Sequence, residues 1–368
     1  MAKVAFVSIM WHSRFVEELG VEYLTAVLRK ETNHEVRIFY KFPEDNYNDF
    51  FQQVIGFNPD IVGISLSHKY TGLEPLYAGA SLLKEKLPEV YLCIGGIFAS
   101  TNAENIMRKI QEVDCVFLGE SENIIVDFVD KVINHQSIDA LDGVVYRCEN
   151  GTLKTIPKKN FIMDLDAIPF PARDYIEEDW CKNDSFKMVN LMGSRGCHGH
   201  CHFCNVPSMY AVYGTEHCWR GRSIANIVDE MEYLYKEHGV LIFSFNDSSF
   251  EDAMPLTEGK KRLATFANEI LKRGLRILWT CCFRAETFKN NKEDIELIEL
   301  MVKSGLYNLL IGVEAGNKRA LNNFSKRATI SDNYQSIEIF DRYPVYISKG
   351  FIMFTPQSTP SLLRDNLE

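Results

Sequence analysis

Three thiols dominate the chemistry that this sequence can offer. Cys197, Cys201 and Cys204 lie in the run Ser194-Arg195-Gly196-Cys197-His198-Gly199-His200-Cys201-His202-Phe203-Cys204. The C-x3-C-x2-C spacing lets all three point at one centre from a short loop. Soft thiolate ligands select iron-sulfur clusters, zinc or copper(I) over hard cations. Structural zinc sites close their shell with four protein ligands, whereas three leave a position open for a reacting molecule, so the count points to chemistry. The competing reading is a structural zinc site with Cys218, His198, His200 or His202 as fourth ligand, in a protein that binds metal without catalysis.

Such a loop needs a scaffold, and the second half of the chain predicts one. Val189–Met192 reads as a strand leading into the cysteines, followed by strands at 241–246, 276–283, 307–313 and 345–354. Helical segments at 224–237, 259–273, 295–303 and 331–341 intervene. This is a partial barrel with its reactive loop at the carboxyl end of the first strand, the face where barrel enzymes place their sites.

The first half alternates in the same way. Apolar runs at 4–9, 35–40, 60–66, 90–94 and 114–118 are of strand length, and segments at 15–29, 47–55, 73–87 and 103–111 have helical periodicity. A parallel, doubly wound, Rossmann-like sheet follows, with ligands expected beyond the carboxyl ends of its strands. The loops there carry Trp11 and His12, Ser65 and Ser67, Gly95 and Gly96, and Gly119 and Glu120. Each alone is an ordinary turn or surface loop. Together they outline a glycine-lined edge suited to a flat ligand. A proline-containing stretch through Pro157, Pro169 and Pro171 separates the halves. The expected organisation is a first domain over 1–140, a linker over 141–185 and a second domain over 186–368.

Composition narrows the class. With 368 residues, 46% of them hydrophobic, the chain can bury two cores, and its net charge of -10 disfavours a nucleic-acid partner. The apolar start, Met1 to Ile9, is too short for a signal peptide, and no apolar run approaches a membrane span. A cytoplasmic protein with no membrane partner is expected. Its ten cysteines are then reduced thiols or metal ligands. Cys93, Cys115, Cys281 and Cys282 sit in strand-like runs and read as core residues.

In this order the motifs resemble the radical S-adenosylmethionine (SAM) superfamily, and within it the branch with an N-terminal cobalamin-binding domain. The carriers are the cysteine run with Phe203 before its last cysteine, Trp219-Arg220-Gly221-Arg222-Ser223, Phe243-Ser244-Phe245-Asn246-Asp247 and Ile311-Gly312-Val313-Glu314-Ala315-Gly316. Gly119-Glu120-Ser121-Glu122 and Leu165 to Pro171 add to them. The resemblance implies that Cys197, Cys201 and Cys204 bind three irons of a 4Fe-4S cluster whose fourth iron chelates S-adenosylmethionine. Reductive cleavage then yields a 5'-deoxyadenosyl radical. It implies Phe203 near the adenine and Glu314 and Arg284 at the methionyl end, with a structural ion pair as the alternative for the last two. Asp247 reads as a strand-end cap or a polar wall of the site. Trp11, His12, Ser65, Ser67, Gly95, Gly96, Gly119 and Glu120 would line the cobalamin site.

The activity so implied is methylation of an unactivated carbon of a small-molecule or peptide substrate, with an electron donor such as flavodoxin or ferredoxin. The alternative is cyclisation, rearrangement or ring contraction, with or without cobalamin. Two departures from the family pattern stand out. The D-x-H-x-x-G signature, whose histidine ligates cobalt in many cobalamin proteins, is replaced by Met10-Trp11-His12-Ser13. The strand-helix units also stop at Glu368, before the sixth strand expected of the barrel.

Overall fold

The computed structural model describes residues 1–9, 18–67, 69–178, 181, 187–212, 219–251 and 253–367. They divide into two compact units, 1–184 with 209–216 and 185–208 with 217–368.

In the first unit, β1 (Lys3–Ile9), β2 (Glu35–Lys41), β3 (Ile61–Ser65), β4 (Tyr91–Gly95) and β5 (Cys115–Phe117) run parallel in the order β2-β1-β3-β4-β5. Helices Leu19–Glu31, Tyr47–Phe57, Lys69–Lys86 and Ile97–Lys109 connect them. A strand covered on both faces has no wet side, which is why Ile61-Val62-Gly63-Ile64-Ser65 is buried at every position. Local signals set the helix ends. Asn46 accepts the N–H groups of Asn48 and Asp49 to start Tyr47–Phe57, and Asn58 ends it in the left-handed region at φ 53°. The strand order reverses direction between β1 and β3, and the carboxyl edge at such a switch point is where doubly wound sheets bind ligands.

Beyond β5 the sheet continues as an antiparallel hairpin, β6 (Val144–Arg147) and β7 (Leu153–Ile156), which turns through Asn150 and Gly151. It occupies part of the stretch 141–185 in which the sequence suggested only a connection. Further along that stretch, the Ala172 N–H donates to the Glu22 carbonyl at 3.1 Å. Arg29 grips the Asp174 carboxylate through two bonds of 2.7 Å.

The second unit places β8 (Met188–Leu191), β11 (Ile242–Phe245), β12 (Leu278–Arg284), β13 (Leu306–Glu314) and β14 (Tyr346–Phe351) side by side, all parallel and in chain order. Two short strands, β9 (Ser194–Arg195) and β10 (Arg220–Gly221), pair antiparallel beside them. Helices Ile224–His238, Leu256–Lys272, Lys292–Lys303 and Ile330–Phe340 link the sheet strands. Neighbours in sequence that are neighbours in space, each joined by a helix, make the partial barrel that the alternation implied. Its core centres on Trp279, fully buried against Phe250 and Phe266, with the indole N–H donated to the Ser304 hydroxyl at 3.2 Å. A buried indole keeps its polar end satisfied in this way.

The sheet thiols behave as small apolar groups. Cys93 and Cys115 face each other across β4 and β5, and Cys281 lies inside β12. Burial pushes all three thiols well above the ordinary range, and pushes half-buried Cys282 up to about 11. No helix among the described residues is long and apolar enough to cross a membrane.

Candidate active site

At the end of β8 the chain turns through Met192 and Gly193 into the cysteine loop, over a buried polar network. Asp247, just past β11, accepts the Gly193 N–H at 2.9 Å and the Ser194 hydroxyl. The Gly193 carbonyl accepts the Arg222 N–H at 2.9 Å and Arg262 Nη2 at 3.1 Å. Arg222 Nη1 donates to Glu230 at 2.6 Å and to the Met192 carbonyl at 3.1 Å. Arg262 Nη1 donates to the Arg222 carbonyl at 2.6 Å, and its guanidinium lies over the Trp219 ring at 5.4 Å. The Trp-Arg-Gly-Arg-Ser run is therefore the frame that holds the start of the cysteine loop. Asp247 serves that frame as an anchor.

Burial pushes the Asp247 carboxyl from 3.8 up to about 6, against the opposing pull of the Ser194 and Gly193 donors and of Arg262 and Arg222. A carboxyl raised on folding contributes stability that is fully present below its unfolded value and is lost as pH rises through the folded one. Asp247→Asn should remove that loss. Urea unfolding at pH 4.5 and pH 7 should show a drop in wild-type stability larger than the variant's by up to about 2 kcal/mol. Equal drops would mean that the carboxyl titrates normally.

Gly199 lies close against two of the thiols. A Cβ there would stand 3.3 Å from Cys197 Sγ and 3.7 Å from Cys201 Sγ, so a larger residue would crowd the sulfurs. The Gly199 N–H donates to Cys197 Sγ at 3.1 Å, and the Cys204 N–H donates to the Cys201 carbonyl at 3.1 Å. Burial raises the Cys201 thiol; Lys326 opposes this, while Cys204, Glu314 and Glu286 reinforce it. Among the described residues no three His, Cys, Asp or Glu side chains converge on a single ion. A cluster asks for wider spacing, because its irons occupy separate corners. The donor set of three thiols, two of them beside a bare glycine, fits such a group. Of the fourth zinc ligands considered, His202 directs Nδ1 at the Asn323 carbonyl, 3.1 Å away, and Cys218 lies outside the described residues.

Arg284 and Glu314 stand at the carboxyl ends of adjacent strands, with Arg284 in register with Gly312. Arg284 Nε lies 3.9 Å from Glu251 and 3.7 Å from Glu286, whereas Glu314 Oε1 accepts Lys326 Nζ at 3.0 Å. Glu251, fully buried and with its carboxyl raised by that burial, accepts the Arg284 N–H at 3.0 Å and the Thr287 hydroxyl at 2.6 Å. Glu314 follows a bulge in β13 and adopts φ 62°, a left-handed conformation that costs about 1 kcal/mol in a residue with a side chain. The Phe203 ring is 44% exposed and meets Phe324 edge-on, 5.4 Å between centroids, which leaves a face for a flat ligand. Lys326, Glu286 and Glu251 escaped sequence reasoning; Lys326 and Glu251 arrive from other segments of the chain, which no spacing rule marks.

In the first unit the described edge is polar and open. Ser65 and Ser67 donate to one Glu18 carboxylate oxygen at 3.3 and 2.5 Å. Space lies above β4, where a Cβ on Gly95 would touch nothing within 4 Å. Ser100 donates to the Gly96 carbonyl at 2.8 Å and accepts the Gly119 N–H at 2.9 Å, tying the ends of β4 and β5 together. Glu120 and Glu122 face the fully buried Lys158, whose ammonium reaches Asn123 at 3.2 Å and Asp142 at 3.4 Å. Hydroxyls and bare glycine backbone along a switch-point edge fit a broad ligand rimmed with amides. Trp11 and His12 lie outside the described residues.

These two units correspond to known domains: residues 14–129 match the B12 binding domain, and residues 191–367 match the Radical SAM superfamily. The chain is 28% identical over 342 residues to an uncharacterized methyltransferase of Pyrococcus horikoshii, covering 93% of this chain and 70% of that protein. It is 25% identical over 381 residues to the anaerobic magnesium-protoporphyrin IX monomethyl ester cyclase of Rubrivivax gelatinosus, covering 99% of this chain and 64% of that one. Its fold matches that of the cobalamin-dependent S-adenosylmethionine radical enzyme OxsB with a TM-score of 0.82 at 20% identity, over 100% of this chain and 51% of that chain. The chain belongs to the radical SAM enzymes that carry a cobalamin-binding domain. The cofactors of that family are cobalamin, S-adenosylmethionine and a 4Fe-4S cluster.

Proposed function

We propose that this chain is a cobalamin-dependent radical SAM methyltransferase acting on an unactivated carbon of a small molecule or peptide. One observation carries the reading: the cysteine loop, Arg284 and Glu314 gather at the carboxyl ends of strands in one parallel sheet. Cys197, Cys201 and Cys204 would hold three irons, and Arg284, Glu314 and Phe203 would hold S-adenosylmethionine. When bound, the cluster supplies the electron that cleaves S-adenosylmethionine, and cobalamin supplies the methyl group. Glu314, turned in by its pairing with Lys326, offers a carboxylate to an amino group. Arg284, fixed through its backbone by Glu251, offers a guanidinium to a carboxylate. The exposed Phe203 face offers a surface for adenine. In the first unit, Ser65, Ser67, Gly95, Gly96, Gly119 and Glu120, with Trp11 and His12, would receive the corrin. A cytoplasmic electron donor such as flavodoxin or ferredoxin belongs to the same reading.

The matching cyclase supports a second reading, in which the same parts drive cyclisation, rearrangement or ring contraction. Products separate the two. Reconstituted without oxygen, the chain should carry about four irons and four sulfides, with stoichiometric cobalt. Given S-adenosylmethionine and dithionite, it should release 5'-deoxyadenosine together with S-adenosylhomocysteine. 5'-Deoxyadenosine alone would favour the second reading, and zinc without sulfide would overturn both.

A further inference from the structure

Between its second and third cysteines the loop is fastened to the segment 323–326, whose lysine serves the reading above only by pairing with Glu314. The His202 N–H donates to the Phe324 carbonyl at 3.0 Å, His202 Nδ1–H donates to the Asn323 carbonyl at 3.1 Å, and Phe203 packs edge-on against Phe324. Two residues beyond Phe324, Lys326 turns inward. Its side chain is only 6% exposed, and its ammonium stands 3.0 Å from Glu314 Oε1.

Several local features converge on this ion pair. A Cβ on Gly312 would come within 2.6 Å of Glu314 Oε1 and 3.0 Å of Lys326 Nζ, so the pair occupies the volume that a side chain there would take. Glu314 and Ser325 both adopt left-handed backbone conformations, at φ 62° and 55°. A shielded ion pair adds little net stability after desolvation, and strained residues cost more still. Stability alone is a poor reason for this arrangement. Its location suggests another, because the segment that carries Lys326 is the one that grips the cysteine loop through His202.

We propose that Lys326 sets the charge at the cysteine loop: its ammonium, held against Glu314 by the segment that grips the loop, raises the reduction potential of the cluster bound there. The inference rests on the reading of Cys197, Cys201 and Cys204 as cluster ligands. Reduction transfers one electron from an external reductant to the cluster and leaves it one charge more negative. A fixed cation at close range, in a site partly shielded from water, stabilises that reduced form. Glu314 and Glu286 act in the opposite sense.

The test uses the full chain reconstituted with iron and sulfide, without S-adenosylmethionine, and titrated with dithionite while the reduced cluster is followed by electron paramagnetic resonance. Lys326→Met should lower the midpoint potential, giving a roughly tenfold smaller ratio of reduced to oxidised cluster at a fixed ambient potential, or about 59 mV. Lys326→Arg should restore most of it, and Glu314→Gln should shift the potential upward. A purely structural lysine would change how much cluster is bound without moving the potential of what remains. Wild type and Lys326→Met with the same potential would therefore overturn the inference. If Lys326→Met takes up no cluster, Glu314→Gln decides, and a potential that stays put or falls overturns the inference. Wild-type protein that takes up no iron and sulfide removes the cluster reading and this inference together.

Discussion

Cys201→Ala is expected to strip the site of its metal while leaving the fold in place. Cys201 lies in a half-buried loop outside both sheets, and the loop is held at its start by the Asp247, Arg222 and Arg262 network and at its far side by Asn323 and Phe324. None of these contacts uses the thiol. The stability of the metal-free chain should therefore change by no more than about 0.5 kcal/mol. Cluster retention should collapse: two thiolates cannot replace three, and even the loss of an outer-shell partner weakens metal binding by about 10 to 100-fold. Iron and sulfide analysis should fall to a small remainder, with reductive cleavage of S-adenosylmethionine reduced by more than about 100-fold. Full iron and sulfide in the variant would mean that the cluster sits elsewhere.

The second large effect is expected in the other unit, at Gly96. This residue begins the helix after β4 with φ 99° and ψ 167°, a region open essentially only to glycine. A Cβ there would also fall 2.8 Å from the carbonyl carbon and oxygen of Leu66. Leu66 cannot step aside, because its N–H donates to the Gly95 carbonyl at 2.8 Å and its oxygen accepts the Ala99 N–H at 3.2 Å. Gly96→Ala should cost about 2 to 4 kcal/mol in unfolding and should abolish cobalamin retention, read from the visible spectrum of the purified protein. Gly95→Ala supplies the contrast. It meets no neighbour within 4 Å in the ligand-free edge, so its stability should hold to within about 1 kcal/mol while cobalamin binding weakens. If both variants keep cobalamin, the ligand does not use this edge.

Much of the fold was legible because each strand is short, apolar and followed by a helical period. The five parallel strands of each sheet lie within a few residues of the runs read from the sequence. The hairpin over 144–156 was not, although it carried a usable signal in Asn150-Gly151 between two short alternating runs, the strongest short-range mark of a hairpin. The prolines that follow drew attention to an extended connection instead. The cysteine loop could be read from spacing alone, because its ligands are contiguous in the chain. Its supports could not. Lys326 approaches Glu314 from twelve residues away through a left-handed turn, and Glu251 reaches Arg284 from the neighbouring strand connection, so neither leaves a trace in local periodicity. Asp247 was read as either a cap or a wall, and its two bonds to Gly193 and Ser194 identify it as an anchor for the loop.

The distribution of thiols also decides what air can damage. Cys93, Cys115 and Cys281 are sealed inside the sheets with their ionisation suppressed, and an un-ionised, unreachable thiol is a poor nucleophile towards peroxide or alkylating reagents. Cys197, Cys201 and Cys204 are all partly accessible. Oxidative injury, and equally a chemical label, is thereby turned away from Cys93, Cys115 and Cys281 and towards the partly accessible thiols, which among the described residues are Cys148, Cys282 and the three of the cysteine loop.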